Sequence, residues 1–226
     1  MRKRPYTIPI MKTIERLLAE KLLEISAVKL QPANPFVWAS GWNSPIYTDN
    51  RRTLSYPALR SFIKVELSRL IMENFGKVDA IAGVATGAIA QGALVADILG
   101  LPYVYVRSAP KDHGLENLIE GNLNPGQKVV VIEDLISTGG SSLKAVEAIR
   151  NVGCEVIGMA AIFTYGFPVA IKKFKAAKVE LITLSNYNSV LEVALETNYI
   201  QERDIATLQE WRKDPANWIP TKYEEA

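Results

Sequence analysis

Beyond residue 57 the chain alternates between two apolar patterns. Continuous apolar runs occur at 78–84, 102–107, 128–134, 155–163 and 179–185, with charge only at or near their ends. Between most of them, at 57–75, 87–99, 141–152, 168–176 and 189–197, apolar positions recur every three or four residues. A continuous run of this length reads as a strand covered on both faces, and the longer period as a helix with one buried stripe. The alternation predicts an α/β fold: a parallel sheet flanked by helices, with ligands at the carboxyl ends of the strands.

The first quarter of the chain reads differently. Ile14, Leu17, Leu18, Leu22 and Ile25 form one stripe and predict an amphipathic helix over 11–26. Residues 27–53 are short apolar pieces among Pro, Asn, Ser and aromatic residues, and predict strands and turns forming a small hood. The expected organisation is one domain, 1–226, with the hood at about 27–53 and the core at about 57–200. The longest uncharged run, 80–96, is broken by Gly83, Gly87 and Gly92 and is short for a membrane span. A buried strand, a glycine turn and a packed helix account for it. Met1-Arg2-Lys3-Arg4 is followed by no long apolar segment, so no signal peptide is expected.

Composition narrows the partners. Lys and Arg number 26 against 24 Asp and Glu, a net charge of +2, so no global basic field points to nucleic acid. A polyanionic ligand must be met by locally placed cations. The single cysteine, Cys154, can form neither an internal disulfide nor a zinc cluster, and reads as a buried, inert thiol in a reducing, cytoplasmic compartment.

The chemistry concentrates in Val129-Val130-Val131-Ile132-Glu133-Asp134-Leu135-Ile136-Ser137-Thr138-Gly139-Gly140-Ser141-Ser142. An apolar strand ends in two carboxylates, a Ser/Thr/Gly loop follows, and a helix begins near Ser141. Backbone N–H groups and the helix dipole suit a phosphate there. Gly139 and Gly140 admit close backbone approach, and Ser137, Thr138 and Ser141 add hydroxyl donors. Glu133 and Asp134 can accept hydrogen bonds from a sugar diol and favour positive charge on the adjacent carbon. No Gly-Lys-Ser/Thr of a P-loop occurs, and the carboxylates precede the glycines, unlike a dinucleotide turn. The plain alternative is an N-capped helix with solvated acids at the strand end.

This stretch resembles the phosphoribosyl pyrophosphate (PRPP) signature of type I phosphoribosyltransferases. Further segments resemble the orotate enzymes of that family: Phe36-Val37-Trp38-Ala39-Ser40-Gly41, Ser44-Pro45-Ile46-Tyr47, Asp49-Asn50-Arg51, Tyr105-Val106-Arg107, Lys111-Asp112-His113-Gly114, Ile119-Glu120-Gly121 and Ile162-Phe163-Thr164-Tyr165-Gly166. The resemblance covers about residues 12–213. It implies a type I phosphoribosyltransferase fold with a small N-terminal hood. It also implies transfer of ribose 5-phosphate from PRPP to orotate, giving orotidine 5′-monophosphate and pyrophosphate in de novo pyrimidine synthesis. It assigns PRPP to Arg107, Lys111, His113, Glu133, Asp134, Leu135, Ile136, Ser137, Thr138, Gly139, Gly140 and Ser141. Lys111, Arg107 and Asp134 are the implied catalytic residues. Orotate is assigned to Ser137, with 44–47 bordering it.

Arg107 ends an expected strand, and a glycine-bearing loop carrying Lys111, Asp112 and His113 runs to about Asn124. Cations delivered late by a closing loop would favour a charged leaving group as its charge develops. The resemblance implies a homodimer in which this loop reaches the neighbouring subunit's site. It gives His113 a hydrogen-bonding role at pyrophosphate, with proton transfer left open, and Mg2+ carried by PRPP. It also implies a non-proline cis peptide near Ala85-Thr86. Several orotate enzymes carry a lysine where this chain has Ala39, many a second basic residue where it has Ser108, and some a Tyr-Lys pair where it has Thr86-Gly87. Neutralising pyrophosphate is then expected to rest on Arg107, Lys111, His113 and the metal ion. Trp38, Trp211 and Trp218 are read as packing residues, and Lys172, Lys173, Lys175 and Lys178 as a solvated helix face. A purine phosphoribosyltransferase and a nucleic-acid-binding regulator that only senses PRPP are the competing readings. A fused decarboxylase has no room here, and no membrane partner is expected.

Overall fold

The computed structural model describes residues 13–109 and 118–220. Lys111 and His113, both expected in the site, lie outside the described residues. A six-stranded sheet organises the core. Its strands are β5 (Ala80–Val84), β6 (Tyr103–Val106), β7 (Ile119–Glu120), β8 (Lys128–Ile136), β9 (Glu155–Thr164) and β10 (Leu181–Asn186). They lie in the order β10-β9-β8-β5-β6-β7, all parallel except the β6–β7 edge. Every residue of β5 is buried, as are Val129 to Glu133 in β8, which is why these runs carry no alternation. From β5 the chain crosses toward β6, and from β8 it crosses the other way, toward β9. The carboxyl ends of β5 and β8 therefore flank a topological switch point, where an open α/β sheet has its crevice.

The crossovers are helical as the periods predict. They are α2 (Pro57–Asn74), α3 (Ile89–Leu99), α4 (Gly140–Asn151), α5 (Pro168–Ala177) and α6 (Tyr187–Glu196). Pro57 and Pro168 occupy first-turn positions, where the missing N–H costs nothing. The first helix, α1 (Ile14–Glu24), is shorter than expected. Its fully buried face is Leu18, Ala19, Leu22 and Leu23, while Ile14, Leu17 and Ile25 stay half-buried at its rim. It packs on α6 and β10, where Arg16 pairs with Glu192 and Glu196. A helix not foreseen, α7 (Glu202–Lys213), is the last element among the described residues, started by a reciprocal Gln201–Asp204 capping box. Among the described residues, no helix is long and apolar enough to cross a membrane.

The hood consists of two small antiparallel pairs and a 3-10 helix. β1 (Val28–Leu30) pairs with β4 (Ile46–Thr48), β2 (Phe36–Val37) pairs with β3 (Asn43–Ser44), and the 3-10 helix spans Asn50–Ser55. One expectation needs correction. The loop after Arg107 was read as open to about Asn124, but Ile119 is buried and pairs with Val106, and Leu118 O accepts from Arg107 N–H at 2.8 Å. Its second half is therefore fixed to the sheet edge. Cys154 is buried, as read, and its thiol donates to Asn124 O.

Candidate active site

Two adjoining cavities open at the switch point. The polar one, about 410 Å³, lies between the turn after β5 and the end of β8, and is lined by Val84 to Gly87, Glu133, Asp134, Ser141, Asp49 and Arg51. The aromatic one, about 250 Å³, is lined by Val37, Trp38, Tyr47, Ser137 and Tyr165. Thr48 and Leu135 line both and form their common wall. A ligand that fills both has a charged polyol or phosphate part joined to a flat ring.

The two carboxylates are placed unequally. Glu133 is 4% exposed and turned inward, its Oε2 accepting from Ser142 Oγ–H (2.8 Å) and its Oε1 from Asp134 N–H (3.0 Å). Burial, then the neighbouring Asp134 charge, raises its pKa well above the carboxylate range. Asp134 is only half-buried and faces the polar cavity. Its carboxylate packs directly on Gly87, where a Cβ would collide with it, so the turn after β5 must have glycine there. The preceding peptide, Ala85–Thr86, is cis, at the position expected.

The loop between β8 and α4 is open to an anion. Gly139 is left-handed (φ 74°), and a Cβ there would also meet Phe174 of α5. No side chain caps α4, so its first-turn N–H groups are free of such partners. Ser137 lines the aromatic cavity and Ser141 the polar one. Thr138 instead borders a separate cleft beside Pro168 and Lys172. Ile136 is fully buried and contributes only backbone, its carbonyl accepting from Tyr165 N–H.

Other expected residues are not brought together. Ser44 was expected to border the base, but it is fully buried, with its hydroxyl donating to Ile46 O inside the hood (2.8 Å). Tyr47 does line the aromatic cavity. Arg107 lines neither cavity and pairs with Glu120 at 3.5 Å. Trp38 packs as expected, its ring 5.3 Å from Tyr165 and its N–H donated to Ile46 O, and it also walls the aromatic cavity.

The sequence reading missed how the 3-10 helix enters the site. Asn50 Nδ2–H donates to Asp134 O at 2.6 Å, tying the hood to the end of β8. The next residue, Arg51, reaches the polar cavity with its Nε–H on Asp49 Oδ1 at 2.6 Å. That bond holds the Asp49 carboxyl below its usual range. The available signal was the Asp49-x-Arg51 spacing at the end of the hood.

The chain matches the phosphoribosyl transferase domain over residues 62–197. It is 76% identical to an orotate phosphoribosyltransferase of Bacteroides fragilis over 92% of this chain and 98% of that one. It is 57% identical to one of Listeria innocua over 91% and 99%. The crystal structure of an orotate phosphoribosyltransferase from Aeropyrum pernix superposes with a TM-score of 0.71 at 29% identity, covering 81% of this chain and 99% of that one.

Proposed function

The chain belongs to the orotate phosphoribosyltransferases, within the phosphoribosyl transferase domain family, and on that premise we propose how its two cavities divide the substrates. The reaction transfers ribose 5-phosphate from PRPP to orotate. The single observation that carries the division is the common wall at Thr48 and Leu135, which brings a flat-ring pocket against a carboxylate-lined one.

PRPP takes the polar cavity. Its 5′-phosphate sits on the open N–H groups at the start of α4, with the Ser141 hydroxyl beside it and Ser137 and Thr138 contributing backbone. Asp134 accepts hydrogen bonds from the ribose diol, and its charge favours the positive charge that develops at C1 as the bond to pyrophosphate breaks. Glu133, held by Ser142, fixes the end of β8 behind Asp134. Orotate lies between Trp38, Tyr47 and Tyr165, with Ser137 as its polar contact. Its ring nitrogen bonds to C1 as the C1–O bond to pyrophosphate breaks, and the nitrogen's proton passes to the departing pyrophosphate.

Among the described residues, no group of three or more His, Cys, Asp or Glu side chains is arranged to hold a metal. Mg2+ arriving as part of PRPP would meet the Asp134 carboxylate beside the substrate's own oxygens. Bound there, Mg2+ would neutralise pyrophosphate charge. Arg107, Lys111 and His113 act across a homodimer, in the neighbouring subunit's cavity, and the enzyme works in the cytoplasm. The pairing of Arg107 with Glu120, away from its own chain's cavity, supports that division.

Measuring pyrophosphate release with orotate, adenine, hypoxanthine and uracil tests the reading. Orotate should be preferred by about 10²-fold or more in kcat/KM. Equal use of a purine, or no transfer to orotate, would overturn it.

A further inference from the structure

The polar cavity has to receive a polyanion beside Asp134, yet its β5 turn offers only Val84, Ala85, Thr86 and Gly87, and two of its other lining side chains are the carboxylates Asp49 and Glu133. Among the described residues that line the cavity, one is cationic, and it is Arg51.

Its setting is that of a prepared anion receptor. The Arg51 Nε–H and backbone N–H both donate to Asp49 Oδ1, at 2.6 and 3.2 Å. This fixes the guanidinium from its inner edge, and no hydrogen bond or ion pair engages its two terminal amino groups among the described residues. The side chain remains 58% exposed, so an arriving ligand can reach it. Asn50, one residue earlier, is hydrogen-bonded to the Asp134 carbonyl, which sets the 3-10 helix in register with the strand that carries the diol-binding acid. A planar fork with both terminal amino groups free matches two oxygens of one phosphoryl group. Arg51 shares its cavity with the Ala85 to Gly87 turn and does not line the aromatic pocket, so the ring carboxylate of the base is not its ligand.

We propose that Arg51 binds the pyrophosphate group of PRPP from within the same chain, as the cation that the described lining of the cleft supplies. The assignment rests on the division of substrates above. The guanidinium meets pyrophosphate as it leaves C1, while Asp49 keeps the fork aimed.

The test is steady-state kinetics of Arg51→Gln and Arg51→Lys against the unaltered enzyme, with pyrophosphate product inhibition measured in each. Arg51→Gln should lower kcat/KM for PRPP by about 10- to 100-fold, the scale for losing a charge-assisted contact. The inhibition constant for pyrophosphate should rise in step, with KM for orotate changed by less than about twofold. Arg51→Lys keeps the charge without the fork and should fall between. Equal losses for both substrates, or a loss confined to orotate, would overturn the assignment. Should the glutamine variant not fold, the lysine variant decides by the same split. Absence of orotate turnover in the unaltered enzyme would instead count against the functional reading itself.

Discussion

Adjacent carboxylates at the end of β8 receive different tasks because their surroundings differ. Both border the polar cavity, but Asp134 is half-buried and open to it, whereas Glu133 is buried and held by Ser142. Asp134→Asn should therefore lower kcat/KM by roughly 10²–10³-fold with the melting temperature unchanged, the scale for one lost electrostatic contact to a transition state. A drop below about threefold would contradict the diol assignment. Glu133 makes a prediction in stability. Its pKa is raised by burial and by Asp134, so the native state holds this proton to higher pH than the unfolded chain, whose glutamates titrate near about 4.3. Its contribution is full below that value and is lost as pH rises through the raised native pKa. Glu133→Gln should remove this slope, so the stability of the unaltered protein relative to the variant should decline as pH rises. Denaturant unfolding of both across that range checks it, and parallel curves would contradict it. Asp134 and Ser137 were legible because strand, acids and loop are contiguous. Arg51 and Thr48 were not, because the hydrogen bond from Asn50 to Asp134 O that brings their segment to β8 spans 84 residues.

At the scale of elements, the strands announced themselves because both faces are covered, leaving unbroken apolar runs. α7 escaped notice because its inner face is thin, with Leu208 and Trp211 among charged residues. Its role is nonetheless central to the aromatic pocket. Trp211 is fully buried, its ring lies within 6 Å of Trp38, Tyr165, Phe167 and Tyr187, and its N–H donates to Asn43 O in the hood. The C-terminal helix thus clamps the hood against the end of β9. Trp211→Ala should cost about 3–5 kcal/mol of stability, read by urea unfolding. Because the same cluster walls the aromatic cavity, KM for orotate should rise more than KM for PRPP. A loss below about 1 kcal/mol would mean that the hood is held elsewhere. The stretch after Arg107 misled for the opposite reason. Its glycines and low apolar content conceal one anchoring residue, Ile119.

For the whole molecule, the fold brings phosphate loop, acid and ring pocket to the switch point between β5 and β8, but it leaves Arg107 outside its own cavity. The shared homodimer site proposed above would account for these positions. Mixing inactive Lys111→Ala with inactive Asp134→Asn and allowing subunits to exchange should then restore about a quarter of full activity, since heterodimers keep one intact site. Activity no greater than the sum of the separate variants would argue for self-contained subunits. The central claim is that the sugar of PRPP sits at this switch point, between the β5 turn and the start of α4. A crystal structure with PRPP, Mg2+ and orotate tests it most directly. The account predicts the 5′-phosphate on the backbone N–H groups of 138–141, the ribose diol on Asp134 and the base between Trp38 and Tyr47. Density for the sugar in any other cleft, or Asp134 turned away from it, would contradict the account.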